Sequence, residues 1–168
     1  MQKIIAKVDR QTTSLLDFKF WSNIVVMLFI VGVNMVNFAR ANTEQGALIV
    51  AASPSMVLIV SLALILSMGY GCFGALWTKR RLARVFVALD DAGVSGVSLP
   101  NPTMNEQGEA FSIPYAQIYA VSIVEVAITK KHTAPSLKME SAERAYFVPA
   151  PEGLKELVRL IAERMTAK

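Results

Sequence analysis

Residues 20–39, FWSNIVVMLFIVGVNMVNFA, and residues 45–78, QGALIVAASPSMVLIVSLALILSMGYGCFGALWT, decide how this chain folds, because neither contains Asp, Lys, Arg, His or Glu. At 1.5 Å rise per residue the first makes a helix of about 30 Å, the thickness of the hydrocarbon core of a bilayer. Lys19 and Arg40 bracket it. The second run exceeds one upright span, and Ser53-Pro54 supplies an internal start, since Ser caps helices and Pro is tolerated at the first helical position. The expected spans are therefore 20–39 and 54–77. Residues 47–52 read either as an apolar approach at the interface or as extra helical turns kinked at Pro54.

Ala39-Arg40-Ala41 has the small-x-small form of a signal-peptide cleavage site. The apolar run before it is longer than the roughly 7–15 residues of a secretory core, and a second apolar run follows at once. A retained two-helix hairpin is the simpler reading. Its orientation follows from flanking basic residues, which are held on the cytoplasmic side. Lys3, Lys7, Arg10 and Lys19 precede the first span; Lys79, Arg80, Arg81 and Arg84 follow the second; the connection at 40–53 has Arg40 offset by Glu44. Both ends are thus expected in the cytoplasm of a cell, as in a multi-pass protein of a bacterial inner (plasma) membrane. Cys72 stands alone inside the second span and reads as a small packing residue.

Residues 1–81 carry a net charge of +5 and residues 82–168 one of −1, so the basic character belongs to the membrane flanks. A nucleic-acid module would place its basic excess on the soluble part. Lys79, Arg80 and Arg81, in the juxtamembrane segment 78–84, lie where anionic headgroups would meet them, each charge adding about 1 kcal/mol of attraction. Within the spans the candidates for specific contact are Ser67, Gly71 and Ala75, small residues at spacing four, and Asn34, the deepest amide of the first span. They serve packing of the hairpin on itself or against another membrane subunit. With no ionisable group in either span, an ion pathway is not expected from the hairpin alone.

After Arg84 the pattern changes to short alternating segments. Strands are expected at 85–89, 94–99 (bulged at Gly96), 111–113, 119–129, 137–140 and 145–148, with a tight turn at Asp90-Asp91-Ala92-Gly93 whose glycine supplies positive φ. Lys130-Lys131-His132-Thr133 tops a hairpin, and Tyr115 to Ile118 forms a corner. A terminal helix is expected over about 151–166, with Leu154, Leu157, Val158, Ile161 and Met165 on one face. Residues 3–8 alternate in polarity and either join the sheet or form a tail within the amino-terminal segment 1–19.

The order of two spans, Leu89-Asp90-Asp91-Ala92-Gly93-Val94 and Ile113-Pro114-Tyr115-Ala116-Gln117-Ile118 resembles small bacterial membrane proteins with pleckstrin-homology-like domains, the YcxB-like and YdbT-like group. That resemblance implies a membrane α+β protein: a transmembrane hairpin, then a cytoplasmic bent sheet or partly open barrel of about six or seven strands over 85–168, capped by the terminal amphipathic helix. The group often has an acid where this chain has Gln117, so no contact of that carboxylate carries over.

Catalysis finds no motif here. His132 is the sole histidine and sits in a turn beside Lys130 and Lys131; no zinc-ligand spacing, P-loop or glycine fingerprint occurs, and the turn explains Asp90-Asp91. No enzyme activity, cofactor or metal is expected. Two functions are: a membrane-anchored scaffold or adaptor that binds a protein partner, another copy or a membrane complex at the inner leaflet; and anionic-lipid sensing or resistance to membrane-active peptides through Lys79, Arg80, Arg81, Lys130 and Lys131.

Overall fold

The computed structural model describes residues 4–41, 54–104 and 106–166. Its elements are strand β1 (Ile4–Lys7), helices α1 (Arg10–Ala41) and α2 (Pro54–Leu82), strands β2 (Phe86–Leu89), β3 (Gly93–Ser98) and β4 (Glu109–Pro114), a 3-10 turn (Tyr115–Gln117), strands β5 (Ile118–Thr129), β6 (His132–Ser141) and β7 (Ala145–Val148), and helix α3 (Leu154–Thr166). The connection between the long helices, with the two readings of 47–52, falls on residues 42–53, outside those described. Two compact units result: Leu16–Leu76, and Met1–Leu15 with Trp77–Lys168.

Both long helices exceed the bounds that hydropathy suggests. α1 starts at Arg10, ten residues before the apolar run at 20–39. Asp9 precedes it, its carbonyl accepting a bond from the Thr13 amide at 3.3 Å, and no Gly or Pro interrupts residues 10–19. α2 continues past residue 77 through Lys79, Arg80 and Arg81 to Leu82. Cations in a last turn meet the partial negative charge of the helix end, so the basic segment extends the helix instead of stopping it. Each helix is long and apolar enough to cross a membrane.

Within the helical unit, buried or half-buried side chains on α1 recur from Leu16 through Phe20, Asn23, Met27, Ile30 and Asn34 to Asn37, at alternating spacings of four and three. On α2 the matching set is Ser61, Ile65, Met68, Cys72 and Ala75. An average of 3.5 residues per turn is the heptad seam of antiparallel helices that coil gently to the left.

The second unit holds seven strands in two antiparallel sheets, β1-β2-β3-β4 and β5-β6-β7. β1 completes the first sheet, pairing Ile4 with Leu89 and Ala6 with Val87, so the sheet is assembled from chain on both sides of the hairpin. The sheets meet along two lines. Val8 bridges Pro151, flanked by the Asp9 amide donating to the Ala150 carbonyl at 2.8 Å and the Glu152 amide to the Lys7 carbonyl at 2.7 Å. Elsewhere the Leu99 amide donates to the Phe147 carbonyl at 2.8 Å. The strands form two sheets, not one bent sheet, and they do not close into a barrel. Between them lie Val87, Leu89, Val94, Leu99, Leu137, Met139 and Val148, all essentially without solvent contact. α3 covers this core, packing against β5, β6 and the 3-10 turn and burying Leu157 and Ile161. Each such aliphatic side chain contributes about 1.5–3 kcal/mol by leaving water.

Four local readings need correction. Gly93 does not supply positive φ, which among the described glycines belongs to Gly153 (φ 66); Gly93 lies opposite Pro114, where a Cβ would collide with the Ile113 carbonyl oxygen. Gly96 pairs regularly with Val87 and Phe111, without a bulge. β6 begins at His132, not 137, because residues 132–136 pair with β5; β7 pairs only with Leu137 to Glu140, so Pro135 stands where that neighbour has ended and its missing N–H removes no bond on that side. α3 begins at Leu154, not near 151, since Pro151 is bridged to Val8 and the positive φ of Ala150 (42) and Gly153 (66) keeps the segment out of the helix.

Candidate functional site

The seam of the helical unit contains most of the packing residues expected from sequence. The Asn34 side-chain amide donates to the Ile30 carbonyl at 2.7 Å and across to the Ser61 hydroxyl at 2.8 Å. One neutral interhelical bond of this kind contributes about 0.6 kcal/mol in a membrane, up to about 1.7. Gly71 lies under Asn23: a Cβ there would stand 2.6 Å from the Asn23 amide nitrogen. Ala75 is buried, and so is Cys72, whose thiol donates to the Phe20 carbonyl at 3.6 Å. Ser67, however, is exposed. Spacing four advances 400° and so drifts 40° around the helix per step, which takes Ser67, Gly71 and Ala75 across the seam instead of along it. Ser61 is the residue that spacing misses. The available signal was a hydroxyl in the first half of a largely apolar helix, where Asn34 needs a partner.

The basic residues divide between two elements. In the last turn of α2, Arg80 is exposed while Lys79 and Arg81 are half-buried; Arg81 donates through Nη1 to the Pro102 carbonyl at 3.3 Å. Lys130 and Lys131 are exposed at the β5–β6 tip. The Thr129 hydroxyl caps that tip, accepting from the Lys131 and His132 amides at 3.3 and 3.2 Å. His132 is exposed and starts β6.

Asp90 and Tyr115 serve the fold. The Asp90 carboxylate accepts from the Ala92 and Gly93 amides, both at 2.9 Å, so a side chain closes this turn. The Tyr115 hydroxyl donates to the Asp90 carbonyl at 3.0 Å and accepts from Arg164 Nη1 at 2.7 Å. Arg164 Nη1 also reaches the Asp90 carbonyl at 2.6 Å, and its guanidinium lies 5.5 Å from the Tyr115 ring centroid. This knot ties the β2–β3 turn and the corner before β5 to α3. On the exposed side of α3, Arg159 bonds Glu156 and Glu163 and thereby holds the Glu156 carboxyl below its usual range.

The surface best suited to a macromolecule is β5. It is the longest strand, twelve residues, and stands at the edge of its sheet with β6 as its strand partner. Edge strands are ordinarily protected by Lys, Pro, short length or bulges; β5 has register irregularities between Ile118 and Ala120 and between Ala127 and Thr129, which leaves 120–127 as its regular edge. It has neither Lys nor Pro, and Glu125 is its one charge. Tyr119 and Ile123 are 62% and 43% exposed, and Ser122, Glu125 and Ala127 are also open. Such an edge accepts an added strand through backbone bonds.

A cleft of about 440 Å³ opens between Gln11, Thr12 and Leu15, residues 133–135, and residues 150–154. Its carboxylates, Asp9 and Glu152, stand at the starts of α1 and α3, where helix dipoles already account for them. Among the described residues no cluster of three or more His, Cys, Asp or Glu is placed to hold a metal ion. Comparison of the chain with protein-family models, curated proteins and solved structures finds no match.

Proposed function

We propose that this chain is a membrane-anchored scaffold: α1 and α2 cross a bacterial inner membrane as a hairpin, both termini lie in the cytoplasm, and the two-sheet unit docks a partner protein at the inner leaflet. The observation that carries the reading is the open apolar surface of the helices. Their most apolar 18-residue windows are 0% and 6% buried, leaving Leu28, Phe29, Met35, Leu58, Ile59 and Leu66 among many side chains facing outward. Ten such side chains kept in water forgo roughly 15 kcal/mol of burial at the low end, about the whole stability of a typical domain. A bilayer removes that deficit.

The docking half of the proposal is supported by the open β5 edge. The pleckstrin-homology-like resemblance is part of the same proposal. The proposed topology rests on Lys79, Arg80 and Arg81 in the last turn of the second helix, set against the sparse charge of the connection. The test is extraction from membranes in mild detergent, with identification of co-purifying protein in the parent and in a Ser122→Lys, Ile123→Lys double variant. A stoichiometric companion lost in the variant is expected; a companion retained equally by both removes β5 from the account. Thr43→Cys, labelled by an impermeant maleimide from outside intact cells, reports topology, and labelling only after lysis contradicts it.

A second reading, recognition of anionic lipid or of the surface that membrane-active peptides attack, is favoured by the open positions of Arg80, Lys130 and Lys131. Its cationic contacts would weaken with salt.

A further inference from the structure

We propose that the cleft beside the amino-terminal ends of α1 and α3 docks an extended, lysine- or arginine-bearing segment of a partner protein, which adds to the free edge of β6 at residues 133–135 and sets its cation against Asp9 and Glu152. The inference rests on the scaffold reading for the existence of a partner and gives that partner a contact separate from β5. The cleft lies wholly within one compact unit, between residues 9–15 and 133–154, and its volume of about 440 Å³ is in the range of ligand sites.

The first observation is a stretch of unpaired main chain. β6 pairs with β5 throughout 132–136, but β7 ends at Val148, opposite Leu137. The Phe147 amide and carbonyl are directed away from β6, to the Ser98 hydroxyl and the Leu99 amide, so the bonded pairs of β6 with β7 fall at Met139 and Leu137. Bonding alternates along an antiparallel strand. The Pro135 carbonyl and both polar groups of Thr133 therefore face the same side as those of Leu137, beyond the end of β7, where residues 133–135 line the cleft. Thr133 and Pro135 are exposed. An extended segment laid there meets an N–H and two carbonyls in strand register.

The second observation is a buried hydroxyl. Thr12 lines the cleft and is 6% exposed. The neighbouring hydroxyls of Thr13 and Ser14 donate to the carbonyls of Arg10 and Gln11 at 3.0 and 2.9 Å, but that of Thr12 makes no hydrogen bond among the described residues. Side-chain oxygens this deep are ordinarily bonded, and the cleft is the way in for a partner.

The third observation is charge. The lining has two acids and no Lys or Arg. The Asp9 amide bonds the Ala150 carbonyl at 2.8 Å and the Glu152 amide the Lys7 carbonyl at 2.7 Å, which holds the acids on adjoining segments. Glu109, Glu140, Glu156 and Glu163 are each paired with a cation; Asp9 and Glu152 have none among the described residues. Leu15, 52% exposed, and Leu154 offer apolar surface for the stem of a long cationic side chain.

The experiment is retention of peptides by the full chain in phosphatidylcholine nanodiscs, whose lipid has no net charge, with empty nanodiscs as the blank. The probes are pools of capped pentapeptides with Arg, Lys, norleucine or Glu fixed at the centre and Val, Thr or Ser elsewhere. The Arg or Lys pool should be retained roughly fivefold above the norleucine and Glu pools, an excess that shrinks with salt. Glu152→Gln and Thr12→Val should each lower it roughly threefold, and N-methylation of the peptide main chain should remove it. Adding Asp9→Asn to Glu152→Gln should erase the excess; exposed Glu152 alone decides the matter if that double variant does not fold. Equal retention of the Arg, Lys and norleucine pools, an excess unmoved by Glu152→Gln, or agmatine competing as well as the peptides would overturn the site. Ser122→Lys with Ile123→Lys should hold the pools in full, and their loss there would move the peptide to β5 and overturn the cleft. Co-purification in the same variant separates the two readings: a companion protein retained there defeats β5 as the scaffold's edge and leaves the cleft standing.

Discussion

Replacing Tyr115 with Phe removes one oxygen from a buried junction and leaves the ring, so it isolates the polar knot that joins the β2–β3 turn to α3. The hydroxyl donates to the Asp90 carbonyl at 3.0 Å, a bond contributing about 1 kcal/mol, and accepts from the Arg164 guanidinium at 2.7 Å, for which a charged donor raises the value to about 1.5–3 kcal/mol. Arg164 keeps the Asp90 carbonyl at 2.6 Å, which softens the loss. The expected destabilisation is about 2 kcal/mol. With a urea dependence of roughly 1–1.5 kcal/mol per M for a domain of this size, the midpoint should fall by roughly 1.3–2 M. The assay is urea unfolding of the full chain in mild detergent, followed by protease resistance of residues 86–166. Arg164→Met should cost a similar amount, and the double variant should be less destabilised than the two single costs combined by about 1–2 kcal/mol, since the partners share one network. A Tyr115→Phe midpoint within about 0.3 M of the parent would refute the reasoning, as would strict additivity.

Asn34→Leu should weaken helix–helix association by about 0.6–1.7 kcal/mol, read as lower resistance of the hairpin to dodecyl sulfate, while Ser67→Leu on the open face of α2 should leave it unchanged. Replacing Arg80, Lys130 and Lys131 by Gln should flatten the salt dependence of binding to phosphatidylglycerol liposomes if the lipid reading holds, because each charge contributes about 1 kcal/mol at the surface. An unaltered salt slope would leave the scaffold reading alone.

Much of this architecture is legible in the residues, and the misreadings share a physical cause. Apolar composition locates the cores of α1 and α2 but not their ends, because α1 continues back to Arg10 on main-chain bonds such as that from the Thr13 amide to the Asp9 carbonyl, and α2 continues through the cations of its last turn, neither of which hydropathy reads. Period-two alternation finds β7 at its observed bounds, and a Val- and Ile-rich run finds β5 to within one residue. It misses the first half of β6, residues 132–136, which pair with β5 alone. Spacing alone places Ser67 in the seam. The observed 3.5-residue period excludes it, since register between two helices is a property of the pair. Ser61 and Arg164 acquire their roles from contacts 27 and 49 residues away along the chain, with Asn34 and Tyr115 respectively, and no local pattern encodes such distances. That no strand among the described residues pairs with the far side of β5 is likewise a fact of topology.

The account depends above all on α1 and α2 lying in hydrocarbon. Membranes from cells producing the full chain, washed with alkaline carbonate and floated through a density gradient, test this most directly. The chain should rise with the lipid and be released only by detergent; recovery as a monodisperse protein in detergent-free buffer would contradict it.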